Sequence, residues 1–107
     1  MKFETTFGET VKKLREDRSL TLREVAAHLE IDISLLGKIE KNNRKANKGL
    51  IEKFAAFFEV SSKELLIAFL SDKIVYDVLD EEKFGTEVLR VAEKKMKYLN
   101  DKKEKKK

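Results

Sequence analysis

Cysteine is absent from the 107 residues, which excludes disulfides and thiolate metal sites and makes a reducing cytosol the natural home. Proline is absent as well, so the commonest helix breaker is missing and an all-helical chain is expected. The four glycines, Gly8, Gly37, Gly49 and Gly85, stand singly, and no glycine-rich loop is there to cradle a phosphate. His28 is the one histidine, with no His/Cys/Asp spacing of a metal centre around it. Carboxylate pairs such as Glu81-Glu82 fall in charged, turn-like sequence. These shortages leave catalysis without a candidate group, and no enzyme activity, metal or cofactor is expected. No leader-like stretch is visible, and no apolar run approaches the roughly 18 residues of a membrane span. A cytoplasmic protein that does not engage membranes is expected, and nothing implies a small-molecule ligand.

What the chain has is helical punctuation. Thr6 and Glu9, Thr21 and Glu24, and Ser61 and Glu64 each stand three apart as capping boxes. They predict helices from about Phe7 to Asp17, from Thr21, and from Ser61. Phe7, Val11 and Leu14 form the inner face of the first, and Arg18-Ser19 ends it. A helix from Asn47 or Lys48 to Glu59 carries Ile51, Phe54, Ala55 and Phe58 as its inner stripe.

The most telling stretch is 20–42, LTLREVAAHLEIDISLLGKIEKN. It predicts two short helices joined by a turn at Glu30-Ile31. Val25, Ala26 and Leu29 face one side of the first. Asp32 is placed to cap the second, where Leu36 and Ile39 recur at helical spacing with Leu35 or Ile33 beside them. A pair of this size, with its second member outermost, can lay that member in a DNA major groove.

From about Phe7 to Leu70 the chain resembles the Cro/lambda-repressor-like helix-turn-helix domain, or xenobiotic response element family. Leu14 and Arg15, Leu20-Thr21, Glu24, Val25, Ala26 and Leu29, Ile31, Leu36, Lys38-Ile39-Glu40, Phe54-Ala55 and Val60-Ser61 carry the resemblance. It implies a five-helix domain over 6–70, here with a C-terminal helical extension, and a transcriptional regulator that binds double-stranded DNA. A narrower resemblance, in LREVAAHLEID, LLGKIEKN, RKA and LLIAFLSDKIVYDVLDEE, points to short bacterial regulators with such an extension, some of which control restriction-modification genes.

The resemblance places the helix 32–41 in the groove, with Ile33, Ser34, Gly37 and Lys38 as base readers. Ser34 and Lys38 are the polar ones; Ile33 can meet a thymine methyl, and Gly37 can admit close backbone approach. The chain departs from the family's pattern here. Leu22 stands where Gln often reaches a phosphate, and Ile33-Ser34-Leu35 and Gly37 replace more polar residues. The family also pairs a helix-one Arg with the groove helix's Glu, which implies an Arg15–Glu40 ion pair. Charge logic agrees, since an outward carboxylate would repel phosphate.

The net charge of +4 says less than its distribution. The run 41–48, KNNRKANK, has four cations and no acid directly after the groove helix. Lys41, Asn43, Arg44 and Lys45, with Thr21 and Arg23, are the expected phosphate contacts, and Asn42 and Asn47 add donors suited to phosphate oxygens.

Beyond Leu70 the apolar pattern outgrows one domain. Leu65, Leu66, Phe69 and Leu70 can pack onto it, whereas Ile67, Ile74, Tyr76, Val78 and Leu79 have no evident cover. A last helix from about Lys83 to Leu99 carries Val88, Leu89, Val91, Ala92, Met96 and Leu99, and a hairpin of the two is expected over 71–99. It either covers its own domain or joins two copies. The second reading makes a homodimer through Ile74, Val78, Leu79, Val88, Leu89, Val91 and Met96. The tail 100–107, rich in lysine and without an apolar residue, is expected to be disordered. The alternative to a DNA regulator is a protein-interaction module, an antitoxin or adaptor on the same fold.

Overall fold

Each predicted helix start is occupied in the computed structural model, which describes residues 1, 3–81 and 83–105. The described residues form six helices and no strand, α1 (Phe7–Asp17), α2 (Leu22–Leu29), α3 (Ile33–Glu40), α4 (Lys48–Phe58), α5 (Ser62–Val78) and α6 (Gly85–Lys105). The fold class is all-α. The chain divides into two compact units, Met1–Asp72 and Lys73–Lys107.

In the first unit, the four amide donors that open α1 all find acceptors. Phe7 N–H donates to Asp72 Oδ2 at 2.7 Å, Gly8 N–H to Asn42 Oδ1 at 3.1 Å, Glu9 N–H to Thr6 Oγ1 at 3.2 Å and Thr10 N–H to the Thr6 carbonyl at 3.0 Å. These are the orphan groups that any helix start must satisfy. Here Asn42, just beyond α3, and Asp72 of α5 supply two of the acceptors, so capping also fixes where the helices sit. Thr6 and Glu9 close a full capping box, as do Thr21 and Glu24. At α5, Ser61 Oγ accepts the Glu64 N–H at 3.1 Å. Asp32 stands at the N-cap of α3 in extended conformation, but its carboxylate makes no capping bond. The sequence placed that residue correctly without its bond.

Four helices end the same way. Ser19, Glu30, Asn42 and Glu59 all adopt positive φ, between 55° and 64°. The next amide in each case reaches back five residues: Leu20 to Arg15, Ile31 to Ala26, Asn43 to Lys38 and Val60 to Ala55, at 2.8–3.1 Å. These are Schellman-type stops built without glycine. Arg18 adds a further clasp. It donates to the carbonyls of Leu14 and Phe58 at 2.9 and 2.7 Å and lies over the Phe58 ring, so one guanidinium serves the C-terminal ends of both α1 and α4.

These ends turn α1–α4 onto one core. α1 packs on α3 and α4, and α2 on α3 and α4. Val11, Val25, Leu36, Ile39, Ile51, Phe54, Phe58 and Leu65 are fully buried between them. Phe7 meets Phe69 edge-on with ring centroids 5.3 Å apart, a favoured aromatic geometry that brings α5 onto α1. On α5, Leu65 and Ala68 are buried and Phe69 half-buried. Leu70, expected on that face, is instead exposed. It lies with Ile67 and Ile74 on a second stripe at i, i+3 and i+7, turned away from the 65–68–69–72 face.

In the second unit, the acid-rich stretch closes α5 at Val78, near where it was expected; Glu82 lies outside the described residues. α6 starts at Gly85 and continues past Leu99 to Lys105. The tail was expected to be disordered from residue 100, and that expectation is corrected through residue 105. Lysine and glutamate are strong helix formers, no glycine or proline stops the helix, and lysines suit its negative C-terminal end. Lys102 also lies over the Tyr98 ring one turn back. Lys106 and Lys107, the last of that tail, lie outside the described residues. Every side chain of α6 from Thr86 to Lys103 is exposed, so an intrachain hairpin does not bury its apolar stripe.

Candidate nucleic-acid interface

The side chains of α3 separate into two sets by the helical period. Leu36 and Ile39 turn into the core, with Leu35 half-buried beside them. Of the two residues that could have supplied that contact, Leu35 does so, and Ile33 is 45% exposed. Ile33, Ser34, Lys38 and Lys41 project outward together, and Gly37 lies among them. These positions are spaced by three and four, so they form one continuous surface. All four expected base readers lie on it.

Glu40 is the only acid between Ile33 and Lys48, and it is turned inward. Arg15 Nε donates to Glu40 Oε2 at 2.8 Å and Arg15 Nη2 to Oε1 at 2.9 Å, while Nη1 donates to the Leu20 carbonyl at 2.9 Å. The Arg15 and Glu40 side chains are only 12% and 5% exposed. The Glu40 hydrogen bond pushes the guanidinium pKa up, against the burial that opposes it. This two-pronged pair joins α1 to α3 and removes the carboxylate from the outer face.

The loop after α3 is held at both ends. Asn43 N–H donates to the Lys38 carbonyl at 2.8 Å, Ala46 is buried, and Asn47 Oδ1 caps α4 through the Leu50 N–H at 2.8 Å. Between these anchors Asn43, Arg44 and Lys45 are exposed, and Lys41 is exposed just before them. Thr21 and Arg23 are exposed at the start of α2, the first helix of the pair. Across 33–48 the surface therefore carries Lys38, Lys41, Arg44, Lys45 and Lys48, with no exposed carboxylate.

Residues 8–68 match the family model described as a helix-turn-helix domain. The chain belongs to the helix-turn-helix family. No curated protein and no solved structure gave a match. The match stops at Ala68, so it covers only the first four residues of LLIAFLSDKIVYDVLDEE, the phrase by which the narrower resemblance includes the C-terminal extension.

Within the helix-turn-helix domain three expected phosphate contacts have other work, Thr21 among them through the capping box that it closes with Glu24. Asn47 caps α4, and Asn42 is built into the scaffold. Asn42 Oδ1 accepts the Gly8 N–H, and Asn42 Nδ2 donates to Thr6 Oγ1 at 2.8 Å. Gly8 is the other half of that junction. A Cβ there would run into the Ile39 carbonyl and lie 2.6 Å from the Glu40 carbonyl. Sequence reasoning passed over Gly8 as an isolated glycine, although it directly follows a cap and a first helical residue, where no turn calls for it. Among the described residues no cluster of His, Cys, Asp and Glu could hold a metal, and no helix is long and apolar enough to cross a membrane.

Proposed function

We propose that this chain is a sequence-specific transcriptional regulator of bacterial type, acting in the cytoplasm, that binds double-stranded DNA as a homodimer with α3 in the major groove. The observation that carries the proposal is the acid-free outer face of 33–48, whose single carboxylate is neutralised inside the domain by Arg15. A surface that matches a polyanion this consistently favours DNA over an apolar protein groove. Ser34 and Lys38 read base edges, Ile33 supplies apolar contact and Gly37 close approach. Thr21, Arg23, Lys41, Asn43, Arg44 and Lys45 hold phosphates and set the register of α3. The chain binds and does not catalyse, and it uses no cofactor.

Dimerisation is supported by the apolar surface outside the helix-turn-helix match. Ile74, Leu79, Val88, Leu89, Val91 and Met96 are exposed, and Val78 is half-buried. Val75 and Tyr76 extend that surface along α5.

Affinity for duplex DNA measured against salt tests the reading. A phosphate binder loses affinity with a log–log slope of about −0.9 per phosphate contact. Arg44→Ala and Lys45→Ala each flatten that slope by about one, with similar losses on all duplexes. Lys38→Ala costs about 1–3 kcal/mol on the preferred site and little elsewhere. A chain with no duplex affinity but with salt-insensitive binding to a protein ligand is an interaction module instead.

A further inference from the structure

Ile33 and Gly37 are not explained by the packing of their own domain. Ile33 places a branched apolar side chain in solvent on the first turn of α3. Gly37 follows one turn later. It has no positive φ, and a Cβ built on it meets nothing within 4 Å. A glycine inside an exposed helix destabilises it relative to alanine, and nothing inside the protein compensates. Gly8 differs, because neighbouring carbonyls exclude any side chain there.

Residues four apart stack along a helix, about 6 Å between their Cα atoms. The Ile33 side chain therefore stands at the edge of the hollow left by Gly37, a shallow apolar recess. Ser34 and Lys38 flank it, and Lys41, Arg44 and Lys45 follow beyond its C-terminal side, all exposed. The cations outnumber the one exposed carboxylate beside the recess, that of Asp32, and this balance favours a polyanion as the occupant. In the major groove of DNA, the distinctive apolar group on a base edge is the C5-methyl of thymine.

We propose that the Ile33–Gly37 recess receives the 5-methyl group of a thymine, so that each copy of α3 reads one T·A pair through its methyl group and not through hydrogen bonds. The proposal rests on the DNA-binding reading above and specifies what that surface recognises.

The test uses the full chain to enrich duplexes from a random pool. Each thymine of the enriched site is then replaced singly by deoxyuridine, which lacks only the methyl group. Wild type should lose about four-fold in affinity at one thymine per copy of α3, the value of one buried methyl group. Ile33→Ala, checked for its fold by circular dichroism, should bind the thymine and deoxyuridine sites equally. Gly37→Ala fills the recess: it should melt at or above the wild-type temperature yet bind the thymine site more weakly, with no preference for the methyl. If no thymine is methyl-sensitive, or if the sensitive one stays so in either variant, the proposal is overturned while DNA binding stands. A pool that yields no enriched duplex overturns the sequence-specific reading itself.

Discussion

Asn42, which follows the C-terminal end of α3, accepts the backbone N–H of Gly8 at 3.1 Å, and Gly8 has no room for a side chain against the carbonyls of Ile39 and Glu40. The exposed helix is thereby seated on the first turn of α1, with the Arg15–Glu40 pair as a second fastening further along α1. Its orientation depends on contacts that never touch a ligand.

Gly8→Ala should therefore push α1 away from α3 and cost about 1–3 kcal/mol of stability, as overpacking does. Asn42→Ala should cost about 1–2 kcal/mol, since it removes a cap and strands the Gly8 N–H. Asn42→Gly keeps the left-handed backbone and loses only the amide, so it should fall between wild type and Asn42→Ala. Urea denaturation measures all three. None should alter the salt slope of DNA binding, because the Asn42 amide is already engaged inside the protein. A slope flattened by one in Asn42→Ala would return that residue to the phosphate contacts.

Glu40→Ala leaves the Arg15 guanidinium nearly buried without its partner. Loss of one member of a buried pair costs about 3 kcal/mol or more, on the order of 10 °C or more in melting temperature for a domain this small. Arg15→Lys keeps the charge and loses the fork, so part of the loss should remain. A Glu40→Ala protein that melts like wild type but changes its DNA preference would make Glu40 a reader of bases.

The Glu24 carboxylate gives α2 an acid limit. Hydrogen bonds from the Thr21 backbone N–H, and then from its hydroxyl, hold its pKa below the ordinary 4.5. A carboxyl group whose pKa is lower in the folded state stabilises fully above the unfolded value. That contribution disappears as pH falls through the lowered value. Glu24→Gln retains an acceptor oxygen and no proton equilibrium, so its stability should depend less on pH across that acid window. Melting curves collected from neutral to strongly acid pH give the comparison, and parallel curves for the two proteins would contradict it.

The helix starts were legible because Thr6, Thr21 and Ser61 announce themselves with a glutamate three residues on. The outer face of α3 was legible because Leu36 and Ile39 fix its inner side. The Arg15–Glu40 pair came from the family resemblance, and its two-pronged geometry agrees. The stops were harder to read. Ser19, Glu30, Asn42 and Glu59 take left-handed conformations in which glycine is the usual marker, so Asn42 looked like a phosphate donor and not like the stop of α3. The helical run of residues 100–105 was missed because composition favoured disorder, whereas Lys and Glu propagate a helix already begun at Gly85. Leu70 was misplaced because α5 carries two apolar stripes, and sequence alone does not say which one faces the core.

Those stops also offer a stabilising change. Glu59 holds φ at 57° beyond α4, where a residue with a Cβ is strained by roughly 1 kcal/mol relative to glycine. Glu59→Gly should raise stability by about 0.5–1 kcal/mol and leave duplex affinity unchanged, since Glu59 lies outside the 33–48 surface. A destabilised Glu59→Gly protein would mean that the gain in unfolded-chain entropy outweighs the relief of strain.

The exposed apolar surface of α5 and α6 sets the last expectation. Met96 and Leu99 are 59% and 57% exposed, and Leu79 on the preceding connection is 55% exposed. Large apolar side chains exposed in this number mark an association site. A second copy fits it best, because one reading helix contacts only a few base pairs and a two-fold pair repeats the contact. The interface should be isologous, with the same helices from both copies and the two α3 helices about 34 Å apart, one turn of DNA. Sedimentation at tens of micromolar should give a dimer for the full chain. Replacing Leu89 and Met96 together by glutamate should give a monomer that retains its helical circular dichroism, since neither side chain is in the core. Its affinity for a two-half-site operator should fall by more than ten-fold, while its affinity for a single half-site should change little. Met1–Asp72 alone should also be monomeric. A full chain that sediments as a monomer would remove the homodimer from the proposed function and leave the α6 stripe for a different partner.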